Sequence, residues 1–107
     1  MNNTMKTNCK PEFNYKPKDI LLIKSGKKHC EVVTKSGNYT IAEKIGDLCE
    51  KLPADKFVRC HNSYIVNISK ITGLNLRSLT YNIEGGFEVP ISRSRVKNLP
   101  EINTLFG

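Results

Sequence analysis

Short apolar segments rich in β-branched residues, separated by turn residues, constrain the fold of this chain more than any other feature. Residues 19–23 form a compact apolar run ending at residues 24–26, and a run of this length favours a buried strand over a helix. Residues 30–34 and 39–41 flank a hairpin-turn signal at residues 35–38. The first part of the chain therefore predicts antiparallel strands.

The pattern changes to helical spacing between residues 42 and 52, and Pro53 follows. Apolar residues there recur at spacings of three, one and three, which place them on one face of a helix. We expect one small helix that ends before the proline. The residues on its apolar face are Ile45, Leu48, Cys49 and Leu52.

Alternation of apolar and polar residues returns in the second half of the chain. Residues 74–83 alternate in this way and predict a strand, and the glycines at 85–86 predict a hairpin turn. Residues 87–91 would pair back as a second strand. Pro90 places that strand at an edge or a strand end, because proline cannot donate to a sheet.

The ends of the chain carry weaker signals. Residues 92–99 predict a short final helix capped by Ser92 or Ser94, and residues 13–15 hint at an edge strand. A chain of 107 residues has the length of one ordinary domain. We therefore expect a single domain over residues 1–107, with a loosely ordered segment at 1–12.

The charge balance favours a polyanionic partner. Seventeen Lys and Arg against ten Asp and Glu give a formal net charge of +7, a surplus shared by nucleic-acid binders, heparin binders and membrane-surface proteins. No apolar run approaches the roughly 20 residues that span a bilayer, and the N-terminus has no signal-peptide core. We expect a cytoplasmic protein whose four cysteines are reduced.

Few residues are arranged for catalysis or metal binding. The two histidines lie in His29-Cys30 and Cys60-His61, and these adjacent pairs lack the usual spacing of zinc ligands. The sequence has no glycine-rich phosphate loop, and its acidic residues are scattered singly. We expect no enzyme activity, no cofactor and no metal, with Cys60 a small buried thiol.

Basic and amide side chains cluster in three groups near the ends of predicted elements. Lys and Arg neutralise DNA phosphates, Arg grips guanine O6 and N7, and Asn contacts adenine N6 and N7 in the same bidentate way. Solvated loops have the same composition, so spacing alone leaves both interpretations open. The groups are Lys24, Lys27, Lys28 and His29; Arg59, His61 and Asn62; and Arg93, Arg95 and Lys97, with Ser63, Ser92 and Ser94 beside them.

A dense motif decides between these interpretations. Residues 57–67 read FVRCHNSYIVN and are followed by Ile71, and they resemble the F-x-R-x-H-x-S-y-x-V-N signature of LytTR domains. An apolar-Pro-apolar-Ser-Arg stretch at residues 89–93 resembles a second family feature, and residues 19–23 fit the family's first well-marked strand. The chain thus resembles the DNA-binding LytTR family of bacterial transcription regulators over nearly its whole length.

The resemblance implies a mostly β fold, with short antiparallel sheets and one or two small helices, that presents loops to DNA instead of a recognition helix. It also implies binding to direct repeats upstream of promoters, with loops in successive major grooves of a bent duplex. Asn62 and His29 are then the expected base contacts. The third is Arg93 or Arg95, a choice that stays open, and His61 suits either DNA contact or a structural hydrogen bond. The other expected DNA-facing residues are Lys27, Lys28, Arg59, Ser63, Ser94 and Lys97.

Many relatives carry a receiver domain ahead of this module, whereas this chain begins at Met1 without room for one. A stand-alone regulator and an excised domain both fit. Expected partners are double-stranded DNA, a second copy on DNA, and a membrane inhibitor or a separate receiver domain. Two other function classes stay open: a basic RNA-binding module with stacking aromatics, and a thiol-based redox sensor centred on Cys60.

Overall fold

The computed structural model describes residues 17–96 and residue 99. Within them lie eight strands and one α-helix, and every strand pair is antiparallel. In chain order these are β1 (Ile20–Ser25), β2 (Cys30–Thr34), β3 (Gly37–Ile41), α1 (Ile45–Lys51), β4 (Phe57–His61), β5 (Tyr64–Asn67), β6 (Ile71–Asn75), β7 (Thr80–Ile83) and β8 (Phe87–Pro90). The predicted fold class, mostly β and antiparallel with a small helix, is confirmed.

The strands form a five-stranded sheet in the order β3-β2-β1-β5-β4 and a three-stranded sheet in the order β6-β7-β8. β1 is the central strand of the larger sheet, and its first four residues are all buried. A bulge lies between Ile20 and Leu22, so that Ile20 and Ile23 join one apolar cluster while Leu21 and Leu22 join another. Burial on both faces explains why this strand is a continuous apolar run.

Helix α1 covers one face of the five-stranded sheet. Its apolar stripe of Ile45, Leu48 and Leu52 packs in one cluster with Ile23 and Ile65 of the central strands. The helix is shorter than the predicted 42–52, because Lys44 is extended and provides no side-chain cap. Leu52 is extended as well, as expected for a residue before proline.

The three-stranded sheet covers the opposite face. Tyr81, Ile83 and Val89 are almost fully buried, in one cluster with Val66 and Cys60 of the larger sheet. β8 pairs with β7 alone among the described strands, so the edge position predicted from Pro90 is confirmed. The larger sheet is therefore the middle layer between the helix and the smaller sheet.

The predicted strand over residues 74–83 is wrong at its centre, where a turn separates β6 from β7. Asn75 Oδ1 accepts hydrogen bonds from the backbone N–H groups of Arg77 (2.9 Å) and Ser78 (3.1 Å), which closes the turn locally. Leu79 then has a φ of 56°. The apolar–polar alternation changes phase between Arg77 and Ser78, inside this turn, and the prediction of one strand overlooked that break.

An ion-pair group joins the two sheets at the end away from the β1–β2 and β4–β5 turns. Lys35 Nζ lies 3.0 Å from Glu84 Oε2, and Lys70 Nζ lies 3.7 Å from Glu84 Oε1. The hydrogen bond from Lys35 holds the pKa of Glu84 below its usual value. All three partners are at least partly exposed, so these pairs are screened by salt.

Predictions for the ends of the chain fall partly outside the described residues, namely the 13–15 strand and positions 97 and 98 of the final helix. Residues 93–95 form a turn. In the described part of the chain, no helix has both the length and the apolar character needed to cross a membrane.

Candidate nucleic-acid interface

Three segments meet at one end of the molecule and form what we term the loop surface: the β1–β2 turn at residues 26–29, the β4–β5 turn at residues 62–63, and residues 92–95. The first two are adjacent because β1 and β5 are hydrogen-bonded neighbours. Ser25 N–H donates to the Ser63 carbonyl at 2.8 Å, which ties the turns together directly. The sequence groups predicted to face DNA therefore lie side by side.

A bulge at Cys60 brings in the third segment. Arg59 pairs with Ile65 and His61 with Tyr64, which leaves Cys60 as the extra residue of β4. Its carbonyl accepts a hydrogen bond from Ser92 N–H at 2.8 Å. The position of residues 92–95 is thus set by the strand that leads into the β4–β5 turn.

The β4–β5 turn is held from several sides. Arg59 Nη2 donates to the Asn62 carbonyl at 2.9 Å, and His61 Nδ1 accepts from Ser63 N–H at 3.1 Å. Arg95 Nη2 donates to Asn62 Oδ1 at 3.1 Å, although the two residues are 33 positions apart. The exposed Asn62 amide is therefore presented in a fixed orientation on a fixed backbone.

Arg59 lies behind the turn instead of projecting from it. Its Nε is buried without a hydrogen-bond partner among the described residues. Its Nη1 would lie 3.5 Å from a Cβ placed on Gly46, in the first turn of α1. The guanidinium thus fills the space between the helix and the Asn62 turn, which indicates a bracing role.

The β1–β2 turn is held more lightly. Gly26 N–H donates to the His29 carbonyl at 2.7 Å, and Lys27, Lys28 and His29 are all exposed. The His29 ring lies over Gly26, where a Cβ would come within 2.8 Å of Nε2. Lys28 also lines a groove with residues of α1 and of the segment before it.

Residues 92–95 point their two arginines in different directions. Arg95 turns towards Asn62, whereas the exposed Arg93 lines a cleft together with His61. Ser94 Oγ lies 2.8 Å from Ser92 Oγ, and Arg95 N–H donates to the Ser92 carbonyl at 3.0 Å. Lys97, the last predicted contact, lies outside the described residues.

Two polar residues of the motif at residues 57–67 form hydrogen bonds within the protein. The buried Asn67 donates from Nδ2 to the Ile20 carbonyl at 2.8 Å and accepts at Oδ1 from Ser69 N–H and Oγ. His61 supports the turn through Nδ1, which favours the structural interpretation left open for it. The motif therefore encodes the frame of the β4–β5 turn as much as the side chains predicted to face DNA.

The cysteines within the sheets are shielded. Cys60 is fully buried, and burial raises the pKa of its thiol to about 12. Burial and the neighbouring Glu43 carboxylate also raise the pKa of Cys30, which is opposed by the charge of Arg59. A redox sensor needs an accessible thiolate, and Cys60 has the opposite properties.

The aromatic side chains form no stacking platform in the described part of the chain. Phe57 and Tyr81 are buried, and Tyr64 packs edge-on against the His61 ring. Tyr39 and Phe87, each 39% exposed, lie on edge strands of different sheets. The arrangement expected of an RNA-binding sheet is thus missing from these residues.

The loop surface is basic. Its three segments, taken together with the residues that lead into them, cover residues 24–29, 59–63 and 92–95 and contain no Asp or Glu. The described residues contain no group of three His, Cys, Asp or Glu side chains placed to hold a metal ion. What remains is a basic surface of turns on a β framework, with an oriented amide near its centre.

Sequence reasoning missed the backbone bonds that join the segments and the role of the β6–β7 turn. Arg77 on that turn lines the same cleft as Arg93. The Asn-x-Arg-Ser order of residues 75–78 was the available signal, because an asparagine often closes such a turn.

Comparison with known proteins identifies the family of the chain. The family model for the LytTr DNA-binding domain matches residues 12–103. The transcriptional regulatory protein YpdB of Escherichia coli K12 is 35% identical over 88 residues, which cover 78% of this chain and 36% of that protein. The sensory transduction protein LytT of Bacillus subtilis is 31% identical over 88 residues, covering 79% and 36%.

A solved structure shares the fold. The LytTr DNA-binding domain of a methyl-accepting/DNA response regulator from Bacillus cereus superposes with a TM-score of 0.73, covering 87% of this chain and 85% of that one at 24% identity. The chain belongs to the LytTR family of DNA-binding domains. The predicted function, DNA binding of the kind found in transcription regulators, is confirmed at this level. The chain spans about a third, 36%, of the length of the curated relatives it matches.

Proposed function

We propose that this domain recognises direct repeats in double-stranded DNA as the reading module of a bacterial transcription regulator, with its loops in successive major grooves. The supporting observation is the Asn62 amide, exposed on the β4–β5 turn and oriented by Arg95. An oriented amide at the centre of a basic surface has the chemistry of an adenine reader.

Asn62 makes the central base contact. A bidentate contact with adenine needs Oδ1 as acceptor and Nδ2 as donor. The hydrogen bond from Arg95 to Oδ1 distinguishes the two ends of the amide before DNA arrives, and a carbonyl oxygen has a second lone pair for the base.

Arg95 is the third base contact, in preference to Arg93. A guanidinium has five N–H donors, so the bond to Asn62 leaves others for guanine O6 and N7 at a neighbouring base pair. His29 reads the adjacent groove from the β1–β2 turn. Phosphate contacts come from Lys27, Lys28, Ser63, Ser94 and Lys97, and Arg59 acts by bracing the turn.

The partners follow from this role. Direct repeats place two copies of the domain on one duplex, and bending of the duplex between them adds shape readout. A receiver domain or a membrane inhibitor would then supply the signal, and the site of action is the cytoplasm.

The test is fluorescence-anisotropy binding to a library of short duplexes at physiological salt, with single-stranded DNA and RNA as competitors. We expect one preferred direct-repeat duplex, and loss of the preference in Asn62→Ala. Asn38→Ala is the matched control, because Asn38 is an exposed asparagine on β3, outside the loop surface. Equal binding to every polyanion, or better binding to single strands, contradicts the proposal.

A further inference from the structure

A cleft lies between the third segment of the loop surface and the β6–β7 turn, which is outside that surface. Its volume is about 310 Å³, and it is bounded by the β6–β7 turn on one side, residues 90–93 on the other, and His61. Arg77 and Arg93 both line it and both are exposed. None of the described residues that line the cleft carries a carboxylate. The cleft is therefore a concentration of positive charge without an internal counterion.

The walls of the cleft are fixed by hydrogen bonds. Asn75 Oδ1 holds the backbone N–H groups of Arg77 and Ser78, and Ile91 N–H donates to the Leu79 carbonyl at 2.9 Å. Ser92 N–H is bonded in turn to the bulge carbonyl of Cys60. The separation of the two walls is thus set by the same frame that presents Asn62.

His61 also lines the cleft. Its Nδ1 accepts from Ser63 N–H, so in the neutral ring the proton lies on Nε2. The cleft thus combines two guanidinium groups with an imidazole N–H, which is the chemistry of a phosphate site. Ser92, which lines the cleft, is bonded to Cys60 of the strand that leads into the Asn62 turn, and this connection favours a phosphate of the same duplex over a separate small anion.

We propose that the cleft binds a DNA-backbone phosphate between Arg77 and Arg93, which makes the β6–β7 turn a fourth DNA contact. The inference rests on the proposed function and extends it, because Arg77 belongs to none of the three DNA-facing segments. The contact adds affinity without base preference and fixes the orientation of the domain on the duplex.

The decisive experiment is a methylphosphonate scan, in which one phosphate of the preferred duplex at a time is made neutral. Wild type and Arg77→Ala are titrated against each duplex by anisotropy. We expect a phosphate whose neutralisation weakens wild type but leaves Arg77→Ala unchanged. We also expect Arg77→Ala to reduce the magnitude of the salt slope, log K against log salt, by about one unit with its sequence preference intact.

Two variants control for charge alone. Arg77→Lys keeps the charge and should keep most of the salt slope. Lys56→Ala removes an equal charge from the exposed link before β4, at the opposite end of that strand, and should leave the slope unchanged. Thermal melts check that the variants fold. We expect unchanged melting for the Arg77 variants, since that side chain is exposed.

The possible failures are distinguishable. If every phosphate behaves alike in wild type and Arg77→Ala while Asn62→Ala still loses its preference, the fourth contact is wrong and the proposed function stands. Chemical-shift changes at Arg77 with inorganic phosphate alone, without any phosphate-specific effect in the duplex, would also overturn it. If wild type prefers no duplex, the proposed function fails and this contact fails with it.

Discussion

The β4–β5 and β1–β2 turns both present a base-reading candidate, but the protein holds them very differently. Asn62 is bonded through its backbone to Arg59 and through its side chain to Arg95, and the next residue is bonded to His61 and Ser25. His29 is held by one backbone hydrogen bond, from Gly26 N–H to its carbonyl, and by the position of its ring over Gly26. Under the proposed function, the bonds around Asn62 are already formed before DNA binds, whereas the turn that carries His29 has fewer such bonds and should order further on DNA, at a cost in affinity.

The largest expected difference is in the thiols behind the two turns. In a Cys9→Ser background, iodoacetamide at pH 8 should label the half-buried Cys49 first, Cys30 behind the lighter turn next, and Cys60 last. The shift of the Cys60 pKa from 9.0 to about 12 alone lowers its thiolate fraction on the order of 1,000-fold. Mass spectrometry over time gives the order, and Cys60 reacting as fast as Cys49 would revive a redox role.

The same thiol predicts alkaline behaviour. In the unfolded chain Cys60 loses its proton near pH 9, but in the folded protein it keeps it to about pH 12. Its contribution to stability is therefore complete below pH 9 and is lost as pH rises towards 12, at up to about 1.4 kcal/mol per pH unit. Urea unfolding of wild type and Cys60→Ala from pH 7 to 10.5 should show the difference shrinking above pH 9; a constant difference contradicts the shift.

Removing the side chain of Asn62 should weaken DNA binding more than removing that of His29. Asn62→Ala should weaken binding to the preferred duplex by about 1–3 kcal/mol and relax one base position. His29→Ala should cost less, because part of the His29 contact energy offsets the ordering of its turn. Anisotropy titrations give both values, and a larger loss for His29→Ala would reverse the comparison.

The coupling between Arg95 and Asn62 can be isolated with a double-mutant cycle. Arg95→Ala should cost roughly 1 kcal/mol of binding, and the cycle with Asn62→Ala should show coupling of about 0.5–3 kcal/mol. The cycle of Arg95 with His29 should be additive, because no bond joins them among the described residues. Additivity in both cycles would show that Arg95 does not position Asn62.

The smallest expected effect is that of Gly26→Ala. The new methyl group would displace the His29 ring, which is the mobile end of an exposed side chain. Folding stability should change by less than about 0.5 kcal/mol, as for most surface substitutions. DNA affinity should fall no further than in His29→Ala. Combining the two changes tests this, since Gly26→Ala should have no further effect once His29 is removed.

The strands could be predicted from the periodicity and turn residues of the sequence, whereas the candidate surface was predicted from the family resemblance. β2 was predicted at its observed bounds because β-branched residues and a turn signal agree there. The turn at residues 76–79 was missed because apolar and polar residues alternate on both sides of it and the side chain of Asn75, not the pattern, closes it. Local bonds of this kind leave no periodicity in a sequence.

The grouping of DNA-facing residues came from family resemblance, but the choice between the arginines did not. Arg93 and Arg95 are two positions apart in the same run, and spacing cannot say which reaches Asn62 across 33 residues of chain. The bulge at Cys60 determines that approach. It is a consequence of register, which depends on how all the strands pack together.

The two ends of the β framework respond differently to ionic strength. The Lys35, Lys70 and Glu84 contacts at one end are solvent-accessible ion pairs, whereas the loop surface is joined by short backbone hydrogen bonds. Rising salt should therefore loosen the sheets first at the end away from the loop surface and leave the spacing of its turns unchanged. The salt dependence of the domain's DNA affinity should then count the phosphates that the protein neutralises, through the counterions released from them, with no contribution from a change in the shape of the loop surface.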